Sequence, residues 1–379
     1  MPRKINQILL HNPHSFDMLL FPLSYKLAGK KPHLKYCHIP DMLKDCSNKI
    51  NCIVDYSESS LITSSKFISL PFFIRFIIVT IELFFWKKIN HQYCINVFNE
   101  QNMPKGATVL TFSYKGCQFV TEEKLNVFNK SERLLCHLSH YMINTSEKAS
   151  LLKSYQDKVF LLADCDFSSN SYFIKYFSWY KRPLITIPFI VKNRFVNRHN
   201  YRRNKILLSG TVHNLFEEKP EYLYTDFISH FNCSSYHLLR SSSVIQNLKY
   251  IDNKTVPFRD ASGSGSQKDY FKVDLVDLLN GYQYVCYDSE LSGALALSSM
   301  EAIACGTVPF LSSSSIKGLE LHGKFNFVEF NGSIDDFVQK ADFVINSGYI
   351  SSIKCKCDIQ QHLYELTLNN FNLVVDYEF

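Results

Sequence analysis

Two glutamates bracket a short polar loop and the helix expected to follow it. Glu290 lies in the segment DSELSGA (288–294), and Glu301 lies eleven residues further on, in SSMEAIACGTVPFL (298–311). Carboxylates accept hydrogen bonds from sugar hydroxyls, as an acidic residue does for the ribose in dinucleotide sites. This pattern indicates a binding site for a ligand that carries hydroxyl groups.

The elements around these glutamates predict a strand, a helix and a second strand. YQYVCYD (282–288) and GTVPFLS (306–312) are apolar runs typical of buried strands, and a helical stretch lies between them. Ligands of doubly wound sheets bind at the carboxyl ends of the strands, and the free N–H groups of a helix amino terminus suit a phosphate. We therefore expect a phosphate beside Ser292 and Gly293, where a backbone can approach closely.

Three further residues are candidates because they follow expected strands. Arg240 would neutralise a diphosphate, and the alternative for it is a solvated surface arginine. His140 and Asp166 are candidates for a general base that deprotonates an acceptor hydroxyl. The alternative for both is an ordinary polar residue satisfied by its neighbours.

The distribution of β-rich runs predicts two α/β domains. At 379 residues the chain exceeds what one hydrophobic core usually organises. Short apolar runs alternate with helical stretches, which is typical of parallel sheets. The first set of runs is 107–114, 157–164 and 183–191, and the second is 204–211, 282–288, 306–312 and 325–331. The segment 191–205 between the sets carries six Lys or Arg, and we expect it to be an exposed connection.

Composition narrows the class of protein further. Hydrophobic residues make up 46% of the chain and charged residues 20%, as in globular proteins. The 12 cysteines lack the spacing of a disulfide framework or a zinc site, and the amino terminus lacks a signal sequence. We therefore expect a cytoplasmic protein without a metal. A net charge of +6 fits a protein that handles anions, but it does not by itself indicate nucleic acid.

The most apolar segment, FISLPFFIRFIIVTIELFFWKK (67–88), allows two interpretations. Arg75 and Glu82 lie seven residues apart and share one stripe of a helix. Burying them in lipid would cost about 3 kcal/mol each, which disfavours a spanning helix. One interpretation is a helix of the protein core. The other is a helix that lies in the membrane interface, with the terminal WKK (86–88) at the lipid headgroups.

The segment EAIACGTVPF (301–310) resembles the sugar-nucleotide signature of the carboxy-terminal domain in GT-B glycosyltransferases. That signature is written Glu-x7-Glu followed by Ala-Met-Ala-Cys-Gly, and its second glutamate matches Glu301. The position eight residues earlier is Gly293, so the first carboxylate is Glu290 with a longer spacer or is absent. The strand and helix pattern of 326–345 also resembles the family, and the resemblance covers 183–345.

The resemblance implies a role for each candidate in the second domain. Glu301 would bind the ribose of the donor, and the loop with Glu290, Ser292 and Gly293 would meet its sugar and diphosphate. NKILLSGTVHN (204–214) would be the first strand of the nucleotide domain. It would end in a turn at Gly210 and Thr211 whose N–H groups approach the diphosphate.

The resemblance also implies a fold and an activity. The fold is α/β, with two Rossmann-like domains that face a cleft. An acceptor domain would span 1–190, a nucleotide-sugar-binding domain 205–350, and a helix in 351–379 would pack back across both. The activity is transfer of a sugar from a nucleotide-sugar to a glycan or polyprenyl-linked glycan of cell-surface polysaccharide, such as O-antigen, capsule or lipopolysaccharide. No metal or other cofactor is implied, and the inner face of the inner membrane is a possible location.

Other classes of function stay open at this point. A nucleic-acid-binding protein is suggested by the basic, aromatic-containing segment 191–205, although no second basic stripe accompanies it. An epimerase of nucleotide-sugars or an inactive GT-B-like scaffold is suggested by Gly293 at the place of the first glutamate.

Overall fold

The chain is organised as two units. The first comprises Met1–Ala163, Trp179–Ile190 and Leu366–Phe379, and the second comprises Asp164–Ser178 and Val191–Glu365. The computed structural model describes residues 8–11, 50–53, 71, 74, 77, 81, 96–98, 105–112, 122–138, 145–198, 201–212, 248–257, 274–287, 295–347 and 358–375.

The first unit contains a sheet of seven parallel strands. They are β1 (Ile8–His11), β2 (Ile50–Ile53), β3 (Asn96–Phe98), β4 (Ala107–Phe112), β5 (Ser131–His137), β6 (Val159–Ala163) and β7 (Ile185–Thr186). Their order is β3-β2-β1-β4-β5-β6-β7, which reverses between β1 and β4 as in a Rossmann fold. All of β6 is buried, because a parallel sheet with helices on its faces needs apolar side chains on both sides.

The second unit contains a sheet of five parallel strands. They are β8 (Arg203–Val212), β9 (Ile251–Pro257), β10 (Tyr282–Tyr287), β11 (Val308–Ser312) and β12 (Val328–Phe330). From one edge to the other the order is β9-β8-β10-β11-β12, so the winding reverses between β8 and β10. In doubly wound sheets, ligands bind at the carboxyl ends of the strands on either side of such a reversal.

Seven helices have described bounds, and the described residues 74, 77 and 81 are also helical. The seven helices are α1 (Glu122–Lys130), α2 (Thr145–Lys153), α3 (Ser171–Phe177), α4 (Leu275–Asn280), α5 (Leu297–Ala304), α6 (Ile334–Ser347) and α7 (Ile359–Val375). Residues of α7 up to Glu365 belong to the second unit, and those from Leu366 onward belong to the first. None of the helices in the described ranges is long and apolar enough to cross a membrane.

The predicted fold class is confirmed: the protein is α/β, and each unit is built on a parallel, Rossmann-like sheet. Each of the seven predicted runs contains a strand, although 183–191 yields only the two residues of β7. The pattern over 326–345 forms β12 and α6, as expected. The functional assignment of 1–190 to an acceptor and of 205–350 to a nucleotide-sugar stays a prediction.

Most of the described residues of the segment 191–205 are exposed, as its composition predicts, but the segment is also bonded to the second unit. Val191 and Phe195 are buried, and Arg202 is half-buried at the amino ends of the strands. The Arg202 guanidinium donates to the carbonyls of Tyr282 (3.1 Å) and Cys305 and to the Thr307 hydroxyl (2.6 Å). It therefore ties the start of β10 to the end of α5 and to the residue before β11.

Two asparagines extend this network around Arg202. The same guanidinium donates to Asn197 Oδ1 at 2.9 Å and to Asn280 Oδ1 at 3.2 Å. The Asn280 amide donates in turn to the carbonyls of Val196 (3.0 Å) and Val276 (2.9 Å). Burial lowers the pKa of Arg202 below its usual value, and the surrounding carbonyl and amide oxygens replace part of its lost hydration.

Gly306 ends α5 in a conformation that this network requires. Its φ is +75°, the left-handed region that glycine adopts without strain. A Cβ at this position would lie 2.4 Å from Asn197 Nδ2 and 2.8 Å from Asn197 Cγ. No side chain fits there while Asn197 keeps its bond to Arg202, so the glycine before β11 is a packing requirement as well as a turn.

We expect Gly306→Ala to lower the free energy of unfolding by about 3 kcal/mol. The left-handed backbone accounts for about 1–2 kcal/mol of this, and displacement of the Asn197 amide accounts for the rest, about 1–2 kcal/mol. Gly323→Ala is the matched control, since Gly323 has φ +71° but open space around the added Cβ. Urea unfolding of both variants measures the difference. Equal losses of stability would show that the contact with Asn197 contributes nothing.

Candidate functional site

The candidate site is centred on the carboxyl end of β10, where the order of the second sheet reverses. Pairing between β8 and β10 ends at Ser209 and Tyr287, whereas pairing between β8 and β9 continues to Val212. The last residues of β8 thus extend beyond the ladder that they share with β10. Helix α5 follows β10 and begins at Leu297, so its amino end lies at the carboxyl edge of the sheet, next to the reversal.

The predicted turn at Gly210 and Thr211 is wrong. Both residues continue β8 and pair with Thr255 and Val256 of β9. Local sequence suggested a turn because glycine and threonine end an apolar run, but the neighbouring strand holds the chain extended. The backbone of these two residues is nevertheless close to the reversal between β8 and β10, so a role toward a diphosphate stays a prediction.

Glu301 is a buried carboxylate in the middle of α5. Only 7% of the residue is exposed. Helical side chains lean toward the amino end, which lets the carboxylate accept a hydrogen bond from the Ser298 hydroxyl one turn earlier. Burial raises the pKa of Glu301 above its usual value, and the Ser298 bond and the charges of Lys192 and Arg194 offset only part of that rise. Loss of hydration therefore disfavours the ionised form of the Glu301 side chain in the folded protein.

The first turn of α5 leaves its N–H groups without a side-chain cap. Ala296 occupies the N-cap position and has no side-chain oxygen, and the first turn contains no acidic residue. Asp274 caps α4 in the same unit by accepting from the N–H groups of Val276 and Asp277. The contrast matters because uncapped N–H groups at a helix start can bind an anion.

A serine-rich turn follows β11, the strand next to β10. The Ser312 hydroxyl donates to Ser315 Oγ at 2.9 Å, and the Ser315 hydroxyl donates to the Ser312 carbonyl at 2.9 Å. Ser313 N–H donates to the Phe330 carbonyl at 2.9 Å. These bonds fix the loop at the carboxyl end of β11, and they leave Ser313 and Ser314 exposed.

Asp166 lies beside Lys317, beyond this serine turn. Its backbone N–H donates to the Lys317 carbonyl at 2.8 Å, and its carboxylate lies 3.4 Å from Lys317 Nζ. Although Asp166 follows β6 in sequence, these contacts group it with the second unit. Burial acts to raise the pKa of Asp166, but bonds from Ser168 and the charge of Lys317 outweigh it, so the pKa is lowered. A lowered pKa weakens the carboxylate as a base.

Cys305, the cysteine of the EAIACG motif, is unreactive as a nucleophile near neutral pH. Burial raises the pKa of the Cys305 thiol to about 11, and the charge of Arg202 opposes that rise only in part. A thiol in this state is protonated near neutral pH and is a poor nucleophile. Its carbonyl, which accepts from Arg202, carries its structural role.

Several predicted site residues lie outside the described ranges. They are His140, Arg240, Glu290, Ser292 and Gly293. Their roles stay predictions. Of the predicted residues that are described, Gly210 and Thr211 lie in β8, and Glu301 lies in α5, the helix that follows β10. Strands β8 and β10 are the two strands at the reversal. Sequence reasoning missed that the charges of Lys192 and Arg194 act on Glu301. Both residues lie in a segment that was predicted only to be a connection.

Comparison with known proteins gives distant structural likeness alone. No family model and no curated protein matches the chain. The chain is similar to sucrose-phosphate synthase from Thermosynechococcus elongatus, with 8% identity, coverage of 98% of this chain and 96% of that one, and a TM-score of 0.43. It is similar to Anabaena HepE in complex with UDP-glucose, with 12% identity, coverage of 97% and 98%, and a TM-score of 0.42.

A third solved structure with similar values is a glycosyltransferase from Rickettsia africae. Identity is 13%, coverage is 98% of this chain and 95% of that one, and the TM-score is 0.40. Likeness at this level concerns the path of the backbone, so the function proposed below rests on the site itself.

The buried Glu301 carboxyl predicts a specific pH dependence of stability. Its folded pKa is raised above the usual 4.5, so the folded state favours the protonated form. The resulting stability is fully present below pH 4.5 and is lost as pH rises through the folded pKa. Relative to Glu301→Gln, the wild type should therefore be more stable at pH 4 than at pH 8.

Thermal unfolding of both proteins from pH 4 to pH 8 measures this difference. Glu365→Gln, at an exposed position of α7, controls for the removal of one carboxylate. A wild type that gains stability relative to Glu301→Gln as pH rises would contradict the assignment of a raised pKa.

Proposed function

We propose that the chain is a glycosyltransferase that takes a sugar from a nucleotide-sugar and transfers it to an acceptor hydroxyl. The observation that carries the proposal is Glu301, a carboxylate buried in α5 beside the reversal of a doubly wound sheet. A buried carboxylate there is costly unless a ligand supplies hydrogen bonds. Ribose hydroxyls supply them, and the EAIACG motif that begins at Glu301 resembles a sugar-nucleotide signature.

The amino end of α5 supports a place for the phosphates. Its first-turn N–H groups have no side-chain cap at Ala296, and a diphosphate would bind them as an anion. Ser292 and Gly293 precede this turn and would approach the same groups, as Gly210 and Thr211 would from β8. Glu290 would contact the donor sugar and Arg240 the diphosphate. In this arrangement the ribose and the phosphates occupy adjacent positions at the reversal.

The proposed reaction breaks the bond between the anomeric carbon and the phosphate oxygen. The nucleoside diphosphate leaves with the electron pair, and the acceptor oxygen forms the new bond while its proton passes to a base. His140 and Asp166 are the candidates for that base, although Lys317 weakens Asp166 in this role. Positive groups of the protein would stabilise the leaving diphosphate, so we propose that no divalent metal is required.

The acceptor is proposed to be a glycan or a polyprenyl-linked glycan of cell-surface polysaccharide. Such an acceptor would place the protein in the cytoplasm, at the inner face of the membrane. Ile77 and Ile81 support contact with lipid, because they are helical, four residues apart and exposed by 49% and 46%. Arg75, Glu82 and the WKK end (86–88) lie outside the described residues.

A nucleic-acid-binding role has less support. It was suggested by the basic segment 191–205, but four of the six basic side chains there bond to carboxylates, carbonyls or a tyrosine of the second unit. Charges engaged in this way contribute little to binding a phosphate backbone. An inactive scaffold remains the outcome to test against.

Donor binding and transfer test the proposal directly. Uridine, guanosine, cytidine and thymidine diphosphates and their common sugars are screened by thermal shift in EDTA. At least one should raise the melting temperature, because a ligand that binds the native state stabilises it. Glu301→Gln should weaken that ligand by about 1.5–3 kcal/mol through loss of a charge-assisted bond, whereas Glu365→Gln should leave it unchanged.

Three outcomes separate the alternatives in this screen. Stabilisation by a nucleotide-sugar, without transfer of its sugar to any glycan acceptor and without release of nucleoside diphosphate, would favour a scaffold. Loss of transfer in EDTA, with recovery in Mn²⁺, would contradict metal independence. It would direct attention to Asp164 and Asp166, two carboxylates that directly follow β6 and could bind a metal ion. Unchanged donor affinity in Glu301→Gln would remove the observation on which the proposal rests.

The membrane proposal is tested separately by sedimentation with vesicles. The wild type should sediment with vesicles that contain anionic lipid and be released by high salt, because basic groups attract the surface. Ile77→Ser with Ile81→Ser should reduce the bound fraction severalfold. Ile174→Ser is the control, since Ile174 is equally exposed, at 51%, on α3 of the second unit. Recovery of the wild type in the supernatant with every vesicle would favour the core helix.

A further inference from the structure

The loop between β11 and β12 begins at the carboxyl edge of the second sheet. It comprises residues 313–327 and follows the last residue of β11, Ser312. Cys286 of β10 pairs with Phe310 of β11, so the loop leaves the sheet beside the end of β10. Ligands of doubly wound sheets bind at this edge. The shape of the β11–β12 loop therefore bears on the candidate site.

The middle of the β11–β12 loop is packed against the protein. Ile316, Leu319, Leu321 and Phe325 are all buried. The Leu319 N–H donates to the Ile316 carbonyl at 3.1 Å, and the Phe325 N–H donates to the Leu321 carbonyl at 3.1 Å. These two bonds hold the loop on either side of Glu320, but neither includes the peptide group that joins Leu319 to Glu320.

Glu320 has a strained backbone conformation. Among the described residues it is the one non-glycine with a positive φ, at +50°. Gly318 (+82°) and Gly323 (+71°) adopt the left-handed region freely in the same loop, but a residue with a Cβ is strained there. The Glu320 carboxylate pairs with Lys324 Nζ at 3.1 Å, and an exposed pair of this kind contributes little. Such a conformation persists where other contacts hold it.

A buried histidine of α7 supplies such a contact. His362 is only 6% exposed, and its Nε2 lies 2.9 Å from the Leu319 carbonyl oxygen. A carbonyl oxygen only accepts hydrogen bonds, so Nε2 carries the hydrogen and donates it. The imidazole also packs against Phe325, with ring centroids 5.2 Å apart. His362 therefore contacts the β11–β12 loop on both sides of Glu320.

The bond from His362 opposes the rotation that would relieve the strain at Glu320. The Leu319 carbonyl and the Glu320 nitrogen lie in one peptide plane, and φ of Glu320 is the rotation about the bond from that nitrogen to Cα. Rotation to a relaxed, negative φ would turn this plane and carry the carbonyl away from His362 Nε2. A hydrogen bond and the strain of a left-handed residue are similar in free energy. Removal of the bond should therefore let the loop leave its conformation.

We propose that His362 is a positioning residue that holds the β11–β12 loop in the shape that binds the nucleotide-sugar. This assignment rests on the proposed function. His362 acts through the Leu319 carbonyl and the strained Glu320, and it needs no contact with the ligand. The loop then has a strained form that binds and a relaxed form that does not. The apparent affinity for the ligand falls in proportion to the fraction of the form that binds.

Titration calorimetry tests this role with the nucleotide-sugar that stabilises the wild type in the screen described above. His362→Ala should weaken its binding by about 5- to 10-fold, because the bond to the Leu319 carbonyl is lost. His362→Gln should bind within about twofold of the wild type. The Gln amide nitrogen lies as many bonds from Cα as the His Nε2 does, so it can donate to the same carbonyl.

A second pair of variants tests the strain itself. In the His362→Ala background, Glu320→Gly should restore binding to within about twofold of the wild type, because glycine keeps the left-handed conformation without the bond. Glu320→Gln in the same background is the matched control, since it removes the same charge but keeps the Cβ, and it should restore nothing. A loss of packing alone in His362→Ala would not be restored by a change at Glu320.

Tryptic cleavage after Lys317 and Lys324 reports the shape of the β11–β12 loop without any ligand. Cleavage of the native protein should be about 5- to 10-fold faster in His362→Ala, because it tracks the population of the open loop, and Glu320→Gly should slow it again. If His362→Ala does not fold, His362→Asn takes its place. The Asn amide is one bond shorter than that of Gln and does not reach the Leu319 carbonyl.

The outcomes distinguish failure of this assignment from failure of the proposed function. Nucleotide-sugar binding that depends on Glu301 but is unchanged in His362→Ala would overturn the assignment alone. Binding by His362→Gln as weak as that by His362→Ala would also overturn it, as would failure of Glu320→Gly to restore binding. Absence of nucleotide-sugar binding by the wild type would overturn both the proposed function and the role of the loop in binding. Tryptic cleavage would then still decide whether His362 holds the loop.

Discussion

The second unit depends on one guanidinium, that of Arg202. Three chain segments end or begin at the amino edge of its sheet, and each presents backbone carbonyls that its own helix or strand cannot satisfy. Arg202 donates to the carbonyls of Leu279, Tyr282 and Cys305, which close α4, open β10 and close α5. Lysine has three donors on a flexible stem and could not reach these groups together. The fork of one arginine thus sets the mutual position of two helices and a strand.

That constraint at one edge of the sheet determines what stands at the other. Gly306 lets the chain turn from α5 into β11 against Asn197, which fixes the direction of α5. Because the carboxyl end of α5 is held, its amino end and the Ser298–Glu301 pair are presented at the carboxyl edge, where ligands of such sheets bind. Burial of Glu301 is unfavourable in hydration free energy. Helix α5 keeps its position nevertheless, because its carboxyl end is held by other contacts.

Sequence patterns predicted the elements of this site better than they predicted its charges. The strand, helix, glycine and strand of 282–312 follow from local periodicity and turn chemistry, and all four are present. Gly210 failed because a turn signal at the end of an apolar run cannot report the pairing that β9 imposes from about forty residues away. The contacts of Arg202 in the segment 191–205 could not be predicted, because a polar composition fits a solvated loop and an arginine that binds backbone carbonyls equally well. Only tertiary contacts distinguish the two.

The segment 191–202 therefore has two structural roles, and its composition alone does not distinguish them. In its later part, Arg202 donates to the carbonyls of Tyr282 and Cys305, and Asn197 Oδ1 accepts from the same guanidinium. In its earlier part, the charges of Lys192 and Arg194 favour the ionised form of Glu301 and lower its pKa against the effect of burial. One continuous stretch therefore combines packing at the carboxyl end of α5 with charge that acts on Glu301 in the middle of the same helix.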